Sequence, residues 1–364
     1  MNSNIAFRVD ASDHIGTGHF MRCLTLAEML KNRGNHIFFF SRNLPLNLSN
    51  MLDEKGMTYL PLNIKNEQSS IDELAHAAWL GVSQLQDAEA TIQALDRTIK
   101  QQKKCWDWLI VDHYALDTRW ESVLRSNTKQ LMVIDDLADR NHNCDFLLDQ
   151  NYYLDSQVRY KKKVPMQCRL LLGPNFALLR EEFKNLRRKI KIRTGEIKKI
   201  LVFFGGVDIY NYTGLAIKAL AEMDVPFHVD VVIGEQHPCK NHIQNECVKY
   251  NFFCHVQTSH IAHFMAKADF GIGAGGTSSW ERCCLALPSL VVAIADNQVQ
   301  ISKALDSIGA CFYVEIKEKL TPEILKRKIV NLMNNPDQLS NTSKNAFAVT
   351  DGDGAFRVIS EMGF

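Results

Sequence analysis

The sequence predicts an α/β protein built from two Rossmann-like, doubly wound domains. Short apolar runs alternate with helix-like stretches, which is the pattern of parallel strands covered by helices on both faces. The alternation begins afresh after a basic stretch, KNLRRKIKIR at 184–193. At 364 residues the chain is also long enough for two hydrophobic cores.

The composition is typical of a globular protein, with 46% hydrophobic and 23% charged residues. The formal net charge of +1 predicts neither a nucleic-acid nor a membrane-surface partner. The opening MNSNIAFRVD lacks the features of a signal peptide, and no apolar run is long enough for a membrane helix. The ten cysteines contain no CxxC pair, so we expect them to be reduced. We therefore expect a cytoplasmic protein, and no obligate protein partner is evident.

The first half of the chain predicts five strands and four helices. The strands are expected at Ile5–Asp10, His36–Ser41, Trp108–Asp112, Gln130–Asp135 and Phe146–Asp149. The helices are expected at Gly18–Asn32, Leu44–Lys55, Ala88–Gln102 and Thr118–Arg125. Residues 63–86 are polar and weakly periodic, which indicates a loop or a short helix.

The second half repeats this organisation. Strands are expected at Lys199–Phe204, His228–Val232, Phe270–Gly273, Leu290–Ala295 and Cys311–Tyr313. Helices are expected at Thr213–Glu222, Ile261–Lys267, Ser278–Leu285, Val299–Ile308 and Pro322–Asn334. We place one domain at 1–177, a linker at 178–198, a second domain at 199–350 and a final segment at 351–364, and interpret the basic run as a solvated helix or linker face.

Ligands of open α/β sheets bind beyond the carboxyl ends of strands, which directs attention to the loop after the first strand. There Gly16 and Gly18 flank the turn into a helix, and glycines let backbone N–H groups approach an anion. A dinucleotide fingerprint needs a further glycine at position 21, where Met21 stands. We therefore expect no dinucleotide cofactor.

His19 follows this loop on the first turn of the helix. A neutral imidazole can take a proton from water, which is what a water-activating base must do. Alternatively, His19 merely satisfies a backbone group at the helix start. Arg22, one turn further on, is either a phosphate contact or a partner for Asp10.

The second half has two glycine-rich turns between a strand and a helix. Gly206 lies in a Gly-Gly turn that is followed by Asn211, and such a turn suits either a phosphate or an ordinary tight bend. The second turn combines glycines with hydroxyl donors at a helix start, which suits a diphosphate; it comprises Gly275, Gly276, Thr277 and Ser278.

Three polar residues near these turns have two interpretations each. Glu281 either folds back onto its helix start from the capping-box position or accepts hydrogen bonds from ribose hydroxyls, and we favour the ribose. Asn297 and Gln298 either read sugar hydroxyls and acetamido groups or cap a helix. The acidic run at 135–145 matches no zinc or calcium spacing, so we expect no metal and no other cofactor.

Several motifs, in order from about residue 5 to 310, together resemble the UDP-2,4-diacetamido-2,4,6-trideoxy-β-L-altropyranose hydrolases of pseudaminic acid biosynthesis, the PseG type. They are RVDASDHIGTGHFMRCLTLA, DWLIVDHYALDTRWE, LLDQNY, LLGPNFALLREEF, FFGGVDIYN and GIGAGGTSSWERCCLALPSLVVAIADNQ. This family is similar in fold to the MurG-like GT-B glycosyltransferases. The resemblance implies two Rossmann-like domains facing a central cleft, with a last helix near 355–362 that returns to the first domain.

The resemblance also implies roles for individual residues. His19 becomes the catalytic base, Tyr114 an active-site wall or hydrogen-bond donor, and Asn297 a contact to the sugar or phosphate. UDP is expected at Gly275, Gly276, Thr277, Ser278 and Glu281. The expected reaction is attack of water at the anomeric carbon with inversion, giving free sugar and UDP. The alternatives are a GT-B glycosyltransferase that uses a UDP-sugar donor and a catalytically silent nucleotide-sugar-binding protein.

Overall fold

The structure is a computed structural model that describes residues 2–12, 14–64, 72–99, 105–223, 225–314 and 320–364. The chain divides into two compact units. The first comprises Met1–Asn151, Asp155–Leu178 and Ala355–Phe364, and the second comprises Tyr152–Leu154 and Leu179–Gly354.

The first unit contains a seven-stranded parallel sheet in the order β3-β2-β1-β4-β5-β6-β7. Its strands are β1 (Asn4–Val9), β2 (His36–Ser41), β3 (Thr58–Pro61), β4 (Trp106–Asp112), β5 (Thr128–Ile134), β6 (Phe146–Asp149) and β7 (Arg169–Leu172). Its helices are α1 (Gly18–Asn32), α2 (Leu46–Glu54), α3 (Gln84–Ile99), α4 (Thr118–Leu124) and α5 (Ser156–Arg159). Residues 100–102, the end of the third predicted helix, lie outside the described residues.

The second unit contains a six-stranded parallel sheet in the order β10-β9-β8-β11-β12-β13. Its strands are β8 (Lys199–Phe203), β9 (His228–Ile233), β10 (Phe253–Val256), β11 (Phe270–Ala274), β12 (Ser289–Val292) and β13 (Phe312–Val314). The helices are α6 (Glu181–Arg187), α7 (Tyr212–Ala221), α8 (Lys240–Lys249), α9 (Ile261–Lys267), α10 (Ser278–Cys284), α11 (Asp296–Ser307), α12 (Pro322–Met333) and α13 (Pro336–Val349), and the chain ends with α14 (Gly354–Glu361).

The end of the chain packs in the core of the first unit. Val358 and Ile359 of α14 are fully buried, in the same apolar cluster as Ile5 of β1 and Phe20 of α1. Arg357 also donates to the backbone carbonyl of Asn175. The first unit is therefore discontinuous in sequence, because its core needs both the start and the end of the chain.

The basic stretch interpreted as a linker is packed within the second unit. Phe183 of α6 is fully buried. Arg193 is nearly as buried, and its guanidinium donates to backbone carbonyls at the ends of α9 and α10, including those of Ala268 and Met265. The run at 184–193 is thus not a simple solvated face, because two of its arginines donate to carbonyls that helix ends leave unpaired. Arg187 donates to the carbonyl of Cys284, and Arg193 donates to that of Ala268.

Gly273 of β11 allows two strands to approach closely. A Cβ built at this position would lie 2.1 Å from the carbonyl oxygen of Phe203 on β8. We expect Gly273→Ala to lower the free energy of unfolding by about 1–3 kcal/mol, because this strand contact cannot relax without backbone movement. Urea unfolding measures the effect. Gly18→Ala is the control, since nothing lies within 4 Å of its added methyl group, and equal midpoints for the two variants would contradict the prediction.

In the portion of the chain that is described, no helix combines the length and the apolar character needed to span a lipid bilayer.

Candidate active site

The residues singled out in the sequence follow the carboxyl ends of interior strands in each sheet. In the first unit the strand order reverses between β1 and β4, so the loops that follow these two strands lie side by side. In the second unit the same reversal lies between β8 and β11. Such switch points are where open α/β sheets bind ligands, and each unit therefore offers one candidate site.

His19 is held by a carboxylate at the switch point of the first unit. Its Nδ1 atom lies 2.6 Å from Oδ1 of Asp112, the last residue of β4. The imidazole is largely buried, with 9% of the residue exposed. The sequence predicted that the loop after Asp112 is important but gave its carboxylate no role. The feature that could have revealed this role is the position of Asp112 at the end of a strand.

This contact fixes which imidazole nitrogen carries the proton. Burial alone would raise the pKa of Asp112, but Arg22 and His19 outweigh it and hold the pKa well below its usual value, so the carboxylate is ionised. An ionised carboxylate only accepts, so Nδ1 of His19 donates. Arg22 also approaches Nδ1 at 3.2 Å, but a guanidinium only donates, so this approach is not a hydrogen bond. The lone pair of neutral His19 is therefore on Nε2, which has no partner among the described residues.

Arg22 holds two carboxylates in place beneath His19. It donates to both oxygens of Asp112, at 2.5 and 2.7 Å, and to Oδ2 of Asp136 at 2.6 Å. The alternative that Arg22 pairs with Asp10 is wrong, because Asp10 is bound by Arg8 at 2.9 Å. The other alternative, a phosphate contact, is disfavoured because Arg22 is only 4% exposed and its guanidinium is occupied by carboxylates.

Tyr114 forms an aromatic wall next to His19. The two rings meet edge to face with centroids 4.5 Å apart, and the tyrosine hydroxyl donates to Asp136 at 2.6 Å. Burial, followed by the Asp136 charge, raises the pKa of Tyr114 well above its usual value, so the phenol remains protonated. Trp79 stacks on Tyr114 at 5.5 Å, and His76 packs against both rings. Sequence reasoning missed Trp79 and His76, since they lie in a segment without clear periodicity.

The glycine loop of the first unit is sterically open. Gly16 has a φ of 77°, which favours glycine, and its amide is used within the loop by the carbonyl of Ser12. A Cβ at Gly16 or Gly18 would meet nothing within 4 Å. Helix α1 begins at Gly18 without a capping side chain, so its first amides remain available to a ligand.

The corresponding glycine loop of the second unit is in close contact with side chains of α11. Gly276 has a φ of 81°, while a Cβ at Gly275 would lie 2.9 Å from Oγ of Ser302 and 3.0 Å from Cβ of Gln298. Glycine is therefore required at both positions, for different reasons. Thr277 and Ser278 follow as half-buried residues that present hydroxyl groups.

Glu281 does not cap its helix in this structure. No side chain accepts from the first amides of α10, and the nearest described cation, Arg180, lies 3.7 Å from the Glu281 carboxylate. Burial raises the pKa of Glu281, and Arg180 only partly offsets this effect. The capping-box alternative is therefore not realised, and the ribose contact stays a prediction.

The remaining predicted contacts differ in how they are used. Asn211 caps α7, because its side-chain oxygen accepts from the amide of Gly214 at 3.1 Å. Gly206 is exposed and sterically open. Helix α11 begins at Asp296, three residues before the predicted start, so Asn297 and Gln298 belong to its first turn. Gln298 accepts from the amide of Ile294 at 3.0 Å, whereas Asn297 is exposed.

The polar run at 135–145 contributes a buried ion-pair network. Within the described ranges, no group of three or more His, Cys, Asp or Glu side chains has the arrangement of a metal site. His142 instead contacts Glu121 at 2.7 Å and lies 3.8 Å from Asp135. Burial lowers the pKa of His142, but these two carboxylates outweigh it and raise the pKa to about 9.

We expect this histidine to make the stability of the protein fall at alkaline pH. The folded pKa is about 9 and the unfolded pKa about 6.5, so the contribution is complete below 6.5 and is lost as the pH rises to 9. The loss should be on the order of a few kcal/mol. Urea unfolding of the wild type and of His142→Gln between pH 6 and 10 isolates the contribution of His142. The same pH dependence in the variant would show that other groups are responsible.

Comparison with known proteins defines the class of fold. Residues 200–358 match the glycosyltransferase family 28 C-terminal domain. The chain also matches the crystal structure of MurG from Acinetobacter baumannii with a TM-score of 0.68 and 16% identity, covering 100% of this chain and 99% of that one. The predicted GT-B-like class, with two Rossmann-like domains, is confirmed.

Two curated relatives match more than two thirds of the chain. The UDP-2,4-diacetamido-2,4,6-trideoxy-β-L-altropyranose hydrolase of Campylobacter jejuni is 25% identical over 247 residues, which cover 68% of this chain and 75% of that protein. The uncharacterized protein MJ1062 of Methanocaldococcus jannaschii is 24% identical over 306 residues, or 81% of this chain, which spans only 56% of the length of that relative. The resemblance found in the motifs is therefore supported by a relative that carries the name of this reaction at 25% identity.

Proposed function

We propose that this protein hydrolyses UDP-2,4-diacetamido-2,4,6-trideoxy-β-L-altropyranose to the free sugar and UDP, as a step in pseudaminic acid biosynthesis. The observation that carries the proposal is the contact between His19 and Asp112, which leaves Nε2 of a neutral imidazole able to accept a proton. The Campylobacter jejuni relative, whose name states this reaction, supports the choice of substrate.

In the proposed reaction, His19 acts as general base. Nε2 accepts a proton from a water molecule while the water oxygen forms a bond to the anomeric carbon. The bond from that carbon to the diphosphate oxygen breaks, and UDP leaves with the electron pair. Attack from the face opposite UDP inverts the anomeric centre. Diphosphate is a good leaving group at neutral pH, so the main requirements are an activated water and a site that binds the developing charge.

The second unit supplies the proposed nucleotide site. The backbone of Gly275 and Gly276, with the hydroxyls of Thr277 and Ser278, would bind the diphosphate. The carboxyl of Glu281 would accept from the ribose hydroxyls, a role supported by its lack of a capping partner. Asn297, exposed on the first turn of α11, would contact the sugar or the phosphate.

A glycosyltransferase reaction is the second candidate, because residues 200–358 match a glycosyltransferase domain. The two reactions differ in whether an acceptor is required. Purified protein is incubated with the altro-configured UDP-sugar and with its gluco-configured and bacillosamine-type analogues, and the anomeric protons are followed by NMR. Release of UDP and of free sugar with inverted anomeric configuration, without acceptor, supports hydrolysis. Binding without product would identify a silent nucleotide-sugar-binding protein, and turnover only with an acceptor would identify a transferase.

A further inference from the structure

Arg282 is a buried cation beneath the glycine-serine loop of the second unit. The residue is 4% exposed. Its guanidinium donates to the carbonyl of Ala274 at 2.7 Å and to the hydroxyls of Ser278 and Ser279, both at 3.1 Å. Gly273 leaves room for it, since a Cβ there would lie 3.3 Å from Nη1 of Arg282. The guanidinium is therefore enclosed by the residues that form the loop.

The charge of Arg282 has no counter-charge at contact distance. Among the described residues no carboxylate forms an ion pair with it; burial lowers its pKa, and the more distant charge of Glu281 offsets this effect only in part. Three buried arginines of the first unit show the usual solution, since each contacts two carboxylates: Arg8 contacts Asp10 and Asp87, Arg22 contacts Asp112 and Asp136, and Arg140 contacts Asp135 and Asp139. An unpaired buried charge is costly, which calls for an explanation in terms of function.

A purely structural explanation fits another arginine better. Arg193 also lacks a carboxylate partner among the described residues, but it donates to four backbone carbonyls at the ends of two helices: those of Met265, Ala266, Ala268 and Leu285. Those groups carry partial negative charge that offsets the guanidinium. Arg282 donates to one backbone carbonyl, that of Ala274 at the end of β11, and its other two acceptors are hydroxyl groups.

We propose that the charge of Arg282 is balanced by the diphosphate of a bound nucleotide, and that Arg282 acts as a positioning residue through Ser278 and Ser279. Donation from the guanidinium orients each hydroxyl oxygen, so that its own hydrogen is directed elsewhere. The Ser278 hydroxyl donates to the Ala274 carbonyl at 3.3 Å, which is long for a hydrogen bond between two oxygens. A phosphate oxygen can therefore replace this carbonyl as the acceptor. The ligand class is a nucleoside diphosphate or another diphosphate.

This inference deepens the proposed function and rests on it for the identity of the nucleotide. It predicts that Arg282 discriminates between ligands with and without the diphosphate. Arg282→Gln removes the charge but keeps an amide donor. We expect the dissociation constant for UDP to rise about 10- to 100-fold, with that for uridine changed by less than about threefold. Isothermal titration calorimetry with UDP, uridine and inorganic pyrophosphate measures all three affinities.

Arg187→Gln is the matched control, because Arg187 donates to the Cys284 carbonyl at the other end of the same helix. It should leave the ratio of UDP to uridine affinity unchanged. If Arg282→Gln lowers the affinities for UDP and for uridine equally, or lowers neither of them, the inference is overturned, but the binding of UDP to the wild-type protein is not. If the wild-type protein binds pyrophosphate in an Arg282-dependent way but not UDP, the proposed function fails and the inference holds. Should Arg282→Gln not fold, Arg282→Lys keeps the charge and should lose UDP affinity by about threefold to tenfold, with uridine unaffected.

Discussion

Replacing His19 with alanine is expected to lower turnover of the UDP-sugar by about 10²–10⁴-fold, the range typical of a lost general base. UDP affinity should be unchanged, because the proposed nucleotide contacts belong to the second unit. Single-turnover measurements of UDP release give the rate, and calorimetry gives the affinity. The loss should appear in kcat, since the imidazole acts on water during the chemical step.

His263→Ala is the control for this variant. His263 is exposed on α9 and has been assigned no role in binding or catalysis. It should retain both turnover and UDP affinity. Near-normal turnover of His19→Ala would instead remove His19 from the mechanism, and a parallel loss of UDP affinity would show that His19 maintains structure rather than activating water.

The second large effect is expected from Asp112→Asn. The carboxylate accepts from Nδ1 of His19 and from Arg22, whereas an asparagine has one oxygen and one NH₂ group to serve both. Arg22 only donates, and its shorter contact to Asp112 is the one to Oδ2 at 2.5 Å, so we expect the oxygen of asparagine at that position and the NH₂ group at the Oδ1 position, facing His19. The proton of His19 then moves to Nε2, which can no longer accept from water. We expect turnover to fall on the order of 10²–10⁴-fold with UDP affinity retained.

Asp112→Asn also weakens a buried ion pair, so stability needs its own control. Asp10→Asn is matched to it, because Asp10 is the buried carboxylate that follows β1 and pairs with Arg8. Both variants should unfold at lower temperature than the wild type in thermal scans. Per folded molecule, only Asp112→Asn should lose most of its turnover. Equal losses in both variants would mean that Asp112 contributes stability alone.

Periodicity predicted most of the fold because the central strands are continuous apolar runs. The boundaries of β2, β6, α1 and α9 match the predictions, and the other predicted elements shift by a few residues. The strands β3, β7 and β10 were missed. They are short edge strands of four residues each with partly exposed side chains, so they have neither a long apolar run nor a clear alternation.

The site was predictable only where glycine and histidine mark it locally. His19 and the loop at Gly275 were found because each lies in a distinctive strand-to-helix turn. Asp112 and Asp136 gain their roles from contacts across 93 and 114 residues of sequence, to His19 and Arg22 respectively. Spacing along the chain carries no information about such pairs, since they depend on which strands are neighbours in the sheet.

The position of α14 sets an order of events during synthesis on the ribosome. The segment that covers part of the first sheet, Ala355–Phe364, is translated only after the whole second unit. The nascent first unit therefore exposes part of the apolar cluster that contains Ile5 and Phe20 until this segment has been translated. Completion of the first unit requires the translation of residues 355–364, and a nascent chain stalled before residue 355 should be a substrate for chaperones that bind exposed apolar surface.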